Sequence, residues 1–242
     1  MEIKIAADAQ QVGQIGGSLA AEILREVLHH QDRARLIVAT GASQFATLER
    51  LTSEPGIDWA RVDAFHLDEY IGLSADHPAS FCGYLRDRFV SKVPVGSFHY
   101  LDGTRDPAEV VAQATEAFGK GPIDLALIGI GENGHLAFND PPADFKTSAT
   151  YHVVQLDEAC RMQQVGEGWF GSLEEVPTHA LSMTVKAIMA SHNIVCSVPD
   201  ERKAEAVRNT LQKEITPDVP ASILREHPHI TLVLDSASAK LL

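Results

Sequence analysis

IDLALIGI, residues 123–130, followed directly by GENGHLAFND, residues 131–140, sets the reading of the whole chain. The first eight residues form an apolar run of strand length without the alternation that marks a half-exposed strand, so both faces of this strand are expected to be buried. A strand buried on both faces belongs to a parallel sheet with helices on either side. The glycine-rich segment that follows lies where such a sheet delivers its chain to a ligand.

The same kind of run recurs as RLIVAT (35–40), RVDAFHL (61–67), NIVCSV (193–198) and HITLVL (229–234). Between these runs lie QQVGQIGGSLAAEILREVLHH, ASFCGYLRDRFV, PAEVVAQATEAFG and ERKAEAVRNTLQ, with apolar residues at spacings of three and four, as amphipathic helices require. The alternation predicts an α/β fold: a three-layer, doubly wound, mostly parallel sheet of Rossmann-like type. One domain is expected over residues 1–242. Residues 140–180 break the rhythm, being rich in Gly and Pro and weakly periodic. A lid over roughly 141–180 is one reading of them, and a plain surface loop is the other.

Composition bounds the function. With 45% hydrophobic and 22% charged residues, the 242-residue chain has the balance of a globular protein with a sizeable core. A net charge of −13 argues against nucleic acid as a partner, because binding a polyanion needs basic stripes. It leaves room for a small phosphorylated ligand, since a few cations and backbone N–H groups act locally in one cleft. No apolar run reaches the roughly 20 residues that span a bilayer, and the first residues lack the layout of a secretory signal, so no membrane partner and a cytoplasmic location are expected. Cys82, Cys160 and Cys196 are widely spaced, which suggests reduced thiols and no thiolate metal site.

Four segments after the apolar runs carry chemistry. Thr40-Gly41-Ala42-Ser43 precedes a helical stretch, and its glycine, hydroxyls and free N–H groups could cradle a phosphate; an ordinary strand-to-helix turn favours the same residues. Asp68 and Glu69 end a buried strand and point to opposite sides, so one is a candidate general base, while capping of the next turn or pairing with arginine is the alternative. His135 stands five residues before Asp140, close enough for a turn to join imidazole and carboxylate into a proton-moving pair. Lys203 opens the last helix, where a cation opposes the helix dipole; an anionic ligand would account for it, as would a salt bridge to Asp200, Glu201 or Glu205.

In this order ATGAS, FHLDEYIGL, HPASF, GIGENGHLAFNDP, ALSMTVKAIMAS and the Lys203 helix resemble the glucosamine-6-phosphate deaminase family over most of the chain. Sister 6-phosphogluconolactonases typically carry DER in place of DEY and lack HLAFN. The resemblance implies a cofactor-free enzyme that isomerises and deaminates a hexosamine 6-phosphate, acting as a monomer or homo-oligomer. It implies that Asp68 moves a proton between C2 and C1, that His135 opens the sugar ring, and that Asp140 stands where the family's supporting Glu normally does. Thr40, Gly41, Ala42 and Ser43 then match the phosphate loop, with Arg161 and Lys203 as its cationic partners. Glu69, Gly134 and Ala137 would touch the substrate, with no metal required. Asn133 replaces an Asp found beside the catalytic histidine in many members, and this change with the shorter Asp140 bears on which hexosamine epimer is accepted. The segment TSATYH (147–152) lacks the Arg or Lys cluster of an allosteric phosphate site, so control of that kind is not expected. A lactonase-type hydrolase and a non-catalytic sugar-phosphate sensor remain the alternatives.

Overall fold

The computed structural model covers residues 1–242. Seven strands, β1 (Glu2–Ala6), β2 (Ala34–Val38), β3 (Val62–His66), β5 (Ser97–His99), β6 (Leu125–Ile128), β9 (Asn193–Val198) and β10 (Ile230–Asp235), form one sheet in the order β1-β10-β9-β6-β2-β3-β5. Every neighbouring pair in it is parallel. The expected doubly wound parallel sheet is therefore present, with its five predicted strands in place. The short edge strand β5 and the N-terminal β1, with its exposed residues, were not foreseen, because neither carries a long apolar run.

The strands send alternate residues into two separate cores. Leu36 and Val38 of β2 join Leu125 and Leu127 of β6 in one, while Ile37 joins Ala126 and Ile128 in the other. Helix α1 (Ala9–His30) covers the first core with Ala20, Ala21, Leu24 and Leu28. Its start is set by Asp8, whose carboxylate accepts from Gln11 N at 2.8 Å. Small residues bring it against α2 (Phe45–Ser53): a Cβ on Gly13 would stand 2.1 Å from Ala46 Cβ, so only glycine permits this approach. Helix α3 (Phe81–Leu85), extended by a π-helical turn over Arg86–Val90, contributes Tyr84, Leu85 and Phe89 to the same side. Helices α4 (Pro107–Phe118) and α7 (Ala204–Gln212) pack on the second core through Val110, Ala114, Ala206 and Val207.

A second, antiparallel sheet stands at the carboxyl end of the first, in the order β4 (Asp68–Tyr70), β8 (His179–Met183), β7 (Tyr151–Gln155). The irregular stretch expected over 140–180 thus contains a strand, β7, a helix, α5 (Glu158–Gly166), and the start of β8. Strand β7 escapes notice because burial does not follow residue type along it: Val153 is exposed while Tyr151 is buried, its hydroxyl donating to the His66 carbonyl at 2.9 Å. The short helix α6 (Val185–Met189) then leads back to the parallel sheet, capped by Thr184.

From β2 the chain proceeds to β3 and β5 on one side, and from β6 to β9 and β10 on the other. Adjacent strands β2 and β6 are therefore where the winding reverses, and the crevice beyond their carboxyl ends is the favoured ligand position of such folds.

Candidate active site

A cleft of about 320 Å³ opens at that crevice, at the small end of the range for ligand sites. Its floor is the turn after β2, Thr40-Gly41-Ala42-Ser43. Gly41 has φ +90, a value that disfavours any side chain, and its carbonyl accepts from Tyr84 Oη at 3.1 Å. The buried Gln44 anchors the turn from below: Nε2 donates to the Ser43 hydroxyl at 3.1 Å and to the carbonyls of Ile128 and Ser197 at 3.3 Å. The loop is thereby tied to the ends of β6 and β9, a role for Gln44 that no local pattern announces.

Asp68 enters from β4 and is 6% exposed. Its Oδ1 has no hydrogen-bond partner, and burial, reinforced by the neighbouring Glu69 charge, pushes its pKa up to about 8. Glu69 points the other way. Its carboxylate accepts from Tyr70 N at 2.8 Å, Ser80 Oγ at 2.9 Å, Phe81 N at 3.2 Å and Cys82 N at 2.6 Å, closing the start of α3. The adjacent carboxylates therefore divide, as strand alternation requires, into one that is exposed to the cleft and one that caps a helix. Glu69 does not line the cleft, which corrects the expectation that it touches substrate.

His135 forms the opposite wall. Its ring lies flat over the Gly131 backbone, where a Cβ would meet Cε1 at 2.2 Å. Nδ1 stands 3.3 Å from Asp140 Oδ1, within ion-pair reach of the carboxylate. Burial raises the Asp140 pKa, but the neighbouring imidazole and the Asn133 amide outweigh it and hold the group below the usual carboxylate range. Asn133 sits behind the pair: Oδ1 accepts from His135 N at 3.0 Å, and Nδ2 donates to Asp140 Oδ1 at 3.0 Å and to Asp157 Oδ2 at 3.4 Å. Asn133 and Asp140 thus position the imidazole without lining the cleft. Ala137 lines it, with φ 52, whereas Gly134, φ 86, turns away toward Val219 and Pro220 and, against expectation, does not line the cleft.

The last wall comes from the end of β9. Asp200, at φ 91, caps the next turn through Arg202 N and turns Arg202 and Lys203 into the cleft. Lys203 is 5% exposed, and burial lowers its pKa. Its anionic neighbour is Glu167, with Nζ to Oε1 at 3.8 Å, instead of the Asp200, Glu201 or Glu205 that sequence proximity suggests. The Arg202 guanidinium pairs with Asp200 at 2.8 Å and reaches Glu132 at 3.5 Å. Arg161, expected beside Lys203, is elsewhere. It donates to the Leu173 carbonyl at 2.5 Å and the Val176 carbonyl at 2.9 Å, holding the chain ahead of β8, because α5 presents it to those carbonyls and away from the cleft. Arg202 supplies the second cation. From α5 it is Gln163, Gln164 and Glu167 that reach the cleft, residues whose placement depends on the packing of that helix.

The family described as glucosamine-6-phosphate isomerases/6-phosphogluconolactonase matches residues 7–233. The chain belongs to this family. It is 37% identical to a glucosamine-6-phosphate deaminase of Exiguobacterium sp. over 239 residues, 98% of this chain and 89% of that protein. The deaminase of Clostridium acetobutylicum is 36% identical over 230 residues, covering 92% and 94%. The solved structure of a monomeric glucosamine-6-phosphate deaminase superposes with a TM-score of 0.90 at 31% identity, over the full length of both chains. A 6-phosphogluconolactonase of Shewanella baltica gives 0.80 at 19% identity over 97% of each chain, a likeness of fold alone. No helix is long and apolar enough to cross a membrane.

Proposed function

We propose that the protein converts glucosamine 6-phosphate, or a close hexosamine 6-phosphate, to fructose 6-phosphate and ammonia. The observation that carries this reading is Asp68: a buried carboxyl with an unpartnered oxygen, facing the same cleft as His135 and the Arg202–Lys203 wall.

The substrate dianion is held by Lys203, Arg202 and the Thr40–Ser43 turn, which restores a counter-charge to the desolvated ammonium. Binding there orients the far end of the sugar. His135, backed by Asp140, transfers the proton that opens the pyranose ring. Asp68 takes the proton from C2 and returns it to C1, giving a ketimine that water hydrolyses with release of ammonia. A raised pKa suits a carboxyl that must act first as base and then as acid near neutral pH. Nothing in this scheme calls for a metal or organic cofactor.

The segment 141–180 acts as a lid in this reading, with α5 carrying Glu167 toward Lys203 until phosphate displaces it. The enzyme works in the cytoplasm, as a monomer or homo-oligomer. The test is an ammonia-coupled assay over hexosamine 6-phosphates, with 6-phosphogluconolactone as the contrasting substrate. Lactone hydrolysis without ammonia release, or binding of the sugar phosphate with no turnover, would overturn the assignment.

A further inference from the structure

We propose that His135, Asp140 and Cys160 form a binding site for a thiophilic divalent cation such as Zn²⁺, and that occupancy switches the enzyme off. Nδ1 of His135, a carboxylate oxygen of Asp140 and Sγ of Cys160 all lie within 4.8 Å of one another. Bonds of about 2.0 to 2.3 Å to a tetrahedral zinc place its ligand atoms roughly 3.3 to 3.8 Å apart. The His135–Asp140 pair already stands at 3.3 Å, so closure needs only a small shift of Cys160.

Three further observations support the site. His135 is nine-tenths buried and its Nδ1, 3.3 Å from the Asp140 carboxylate, makes no hydrogen bond, so a ring nitrogen faces the cluster with its bonding capacity unused. The donor set of imidazole, carboxylate and thiol suits Zn²⁺, whereas Mg²⁺ and Ca²⁺ prefer all-oxygen sets. A second hollow, which shares Phe138 with the cleft, is lined by Asp140, Pro141, His152 and Asp157 and so borders one of the three ligands. Ligation transfers the thiol proton to solvent and leaves the fourth position to water.

The inhibitory consequence rests on the role proposed for His135; the binding does not. A bound cation takes Asp140 away from the imidazole and fixes His135 through Nδ1. It also ties α5, through Cys160, to the loop after β6, so the segment over the cleft cannot move freely.

Cobalt(II) serves as the spectroscopic probe and zinc as the inhibitor, both titrated into the metal-free full-length protein. Expected are one equivalent of bound Co²⁺ with sulfur-to-cobalt charge-transfer absorption, and loss of turnover as Zn²⁺ binds. Cys160→Ser should abolish that absorption and weaken zinc inhibition by about 30-fold or more, while keeping uninhibited turnover near wild type. Cys160→Ala replaces it should serine disturb the buried position. Cys82→Ser and Cys196→Ser should leave both readouts unchanged. No thiolate absorption in the wild type, or equal zinc inhibition of wild type and Cys160→Ser, overturns the site. Binding with the thiolate band but undiminished turnover supports the site and overturns the inhibition, together with the role assigned to His135.

Discussion

The Asp140 carboxylate lies 3.3 Å from Nδ1 of His135 and is held from behind by the Asn133 amide, so the orientation of the imidazole depends on a residue that the cleft does not expose. Asp140→Asn removes the charge and preserves the shape. We expect kcat to fall by roughly 100-fold with KM within about twofold, the pattern of an interaction lost in the transition state. A large rise in KM at constant kcat would place Asp140 in substrate binding instead.

Asp68→Asn should abolish turnover to about one part in a thousand or less and leave substrate binding measurable. It should also stabilise the fold, in a pH-dependent way. The folded-state pKa of about 8 lies above that of the unfolded chain, so the native state retains a proton that the unfolded state gives up. Stability of the wild type therefore declines as pH rises from about 4 to about 8, and the asparagine variant lacks this decline. Urea denaturation should show the variant's advantage widening by about 4 kcal/mol between pH 5 and pH 8.5. Parallel stability curves for the two would contradict a protonated, desolvated Asp68.

The same group should govern the rate. With deprotonated Asp68 as the proposed base, kcat/KM should rise with pH and level off above about 8. A profile already flat from pH 5 upward would mean that the base ionises far lower than the geometry of its pocket dictates.

Lys203 and Arg161 separate a proposed ligand contact from a structural one. Lys203→Met should raise KM by about 10- to 100-fold, since a buried charge-assisted contact to phosphate is lost. Arg161→Ala leaves the Val176 carbonyl without its donor and removes one of the two donors to the Leu173 carbonyl, and should destabilise the fold by about 1 to 2 kcal/mol with KM near wild type. Steady-state kinetics beside thermal melts would expose a reversed pattern.

Gly131→Ala places a methyl group where the His135 ring lies, 2.2 Å from Cε1. The ring must move, and a shift near 1 Å is expected to lower kcat by about 100-fold while the phosphate wall is undisturbed. Unchanged kcat would show that the ring position seen here is not the working one.

The five buried strands and the helices between them were legible in the chain because burial on both faces writes a continuous apolar run and a helix writes a three-to-four spacing, and both are local patterns. The Thr40–Ser43 turn and the Asp68/Glu69 division were legible for the same reason, one from turn chemistry and one from strand alternation. The residues brought to the cleft from α5 were not, nor was strand β7, whose partners lie at Leu181 and its neighbours in β8 and which exposes Val153 beside Gln155. Arg161 shows the limit most clearly: its type suits a phosphate, yet its guanidinium goes to the carbonyls of Leu173 and Val176, and Arg202 faces the cleft in its place. Residue type and spacing determine what a side chain can do and which face of its own element it takes. Which distant groups come within its few ångströms of reach is decided only when the elements pack, because hydrogen bonds and ion pairs act at contact distance while sequence separation does not constrain it.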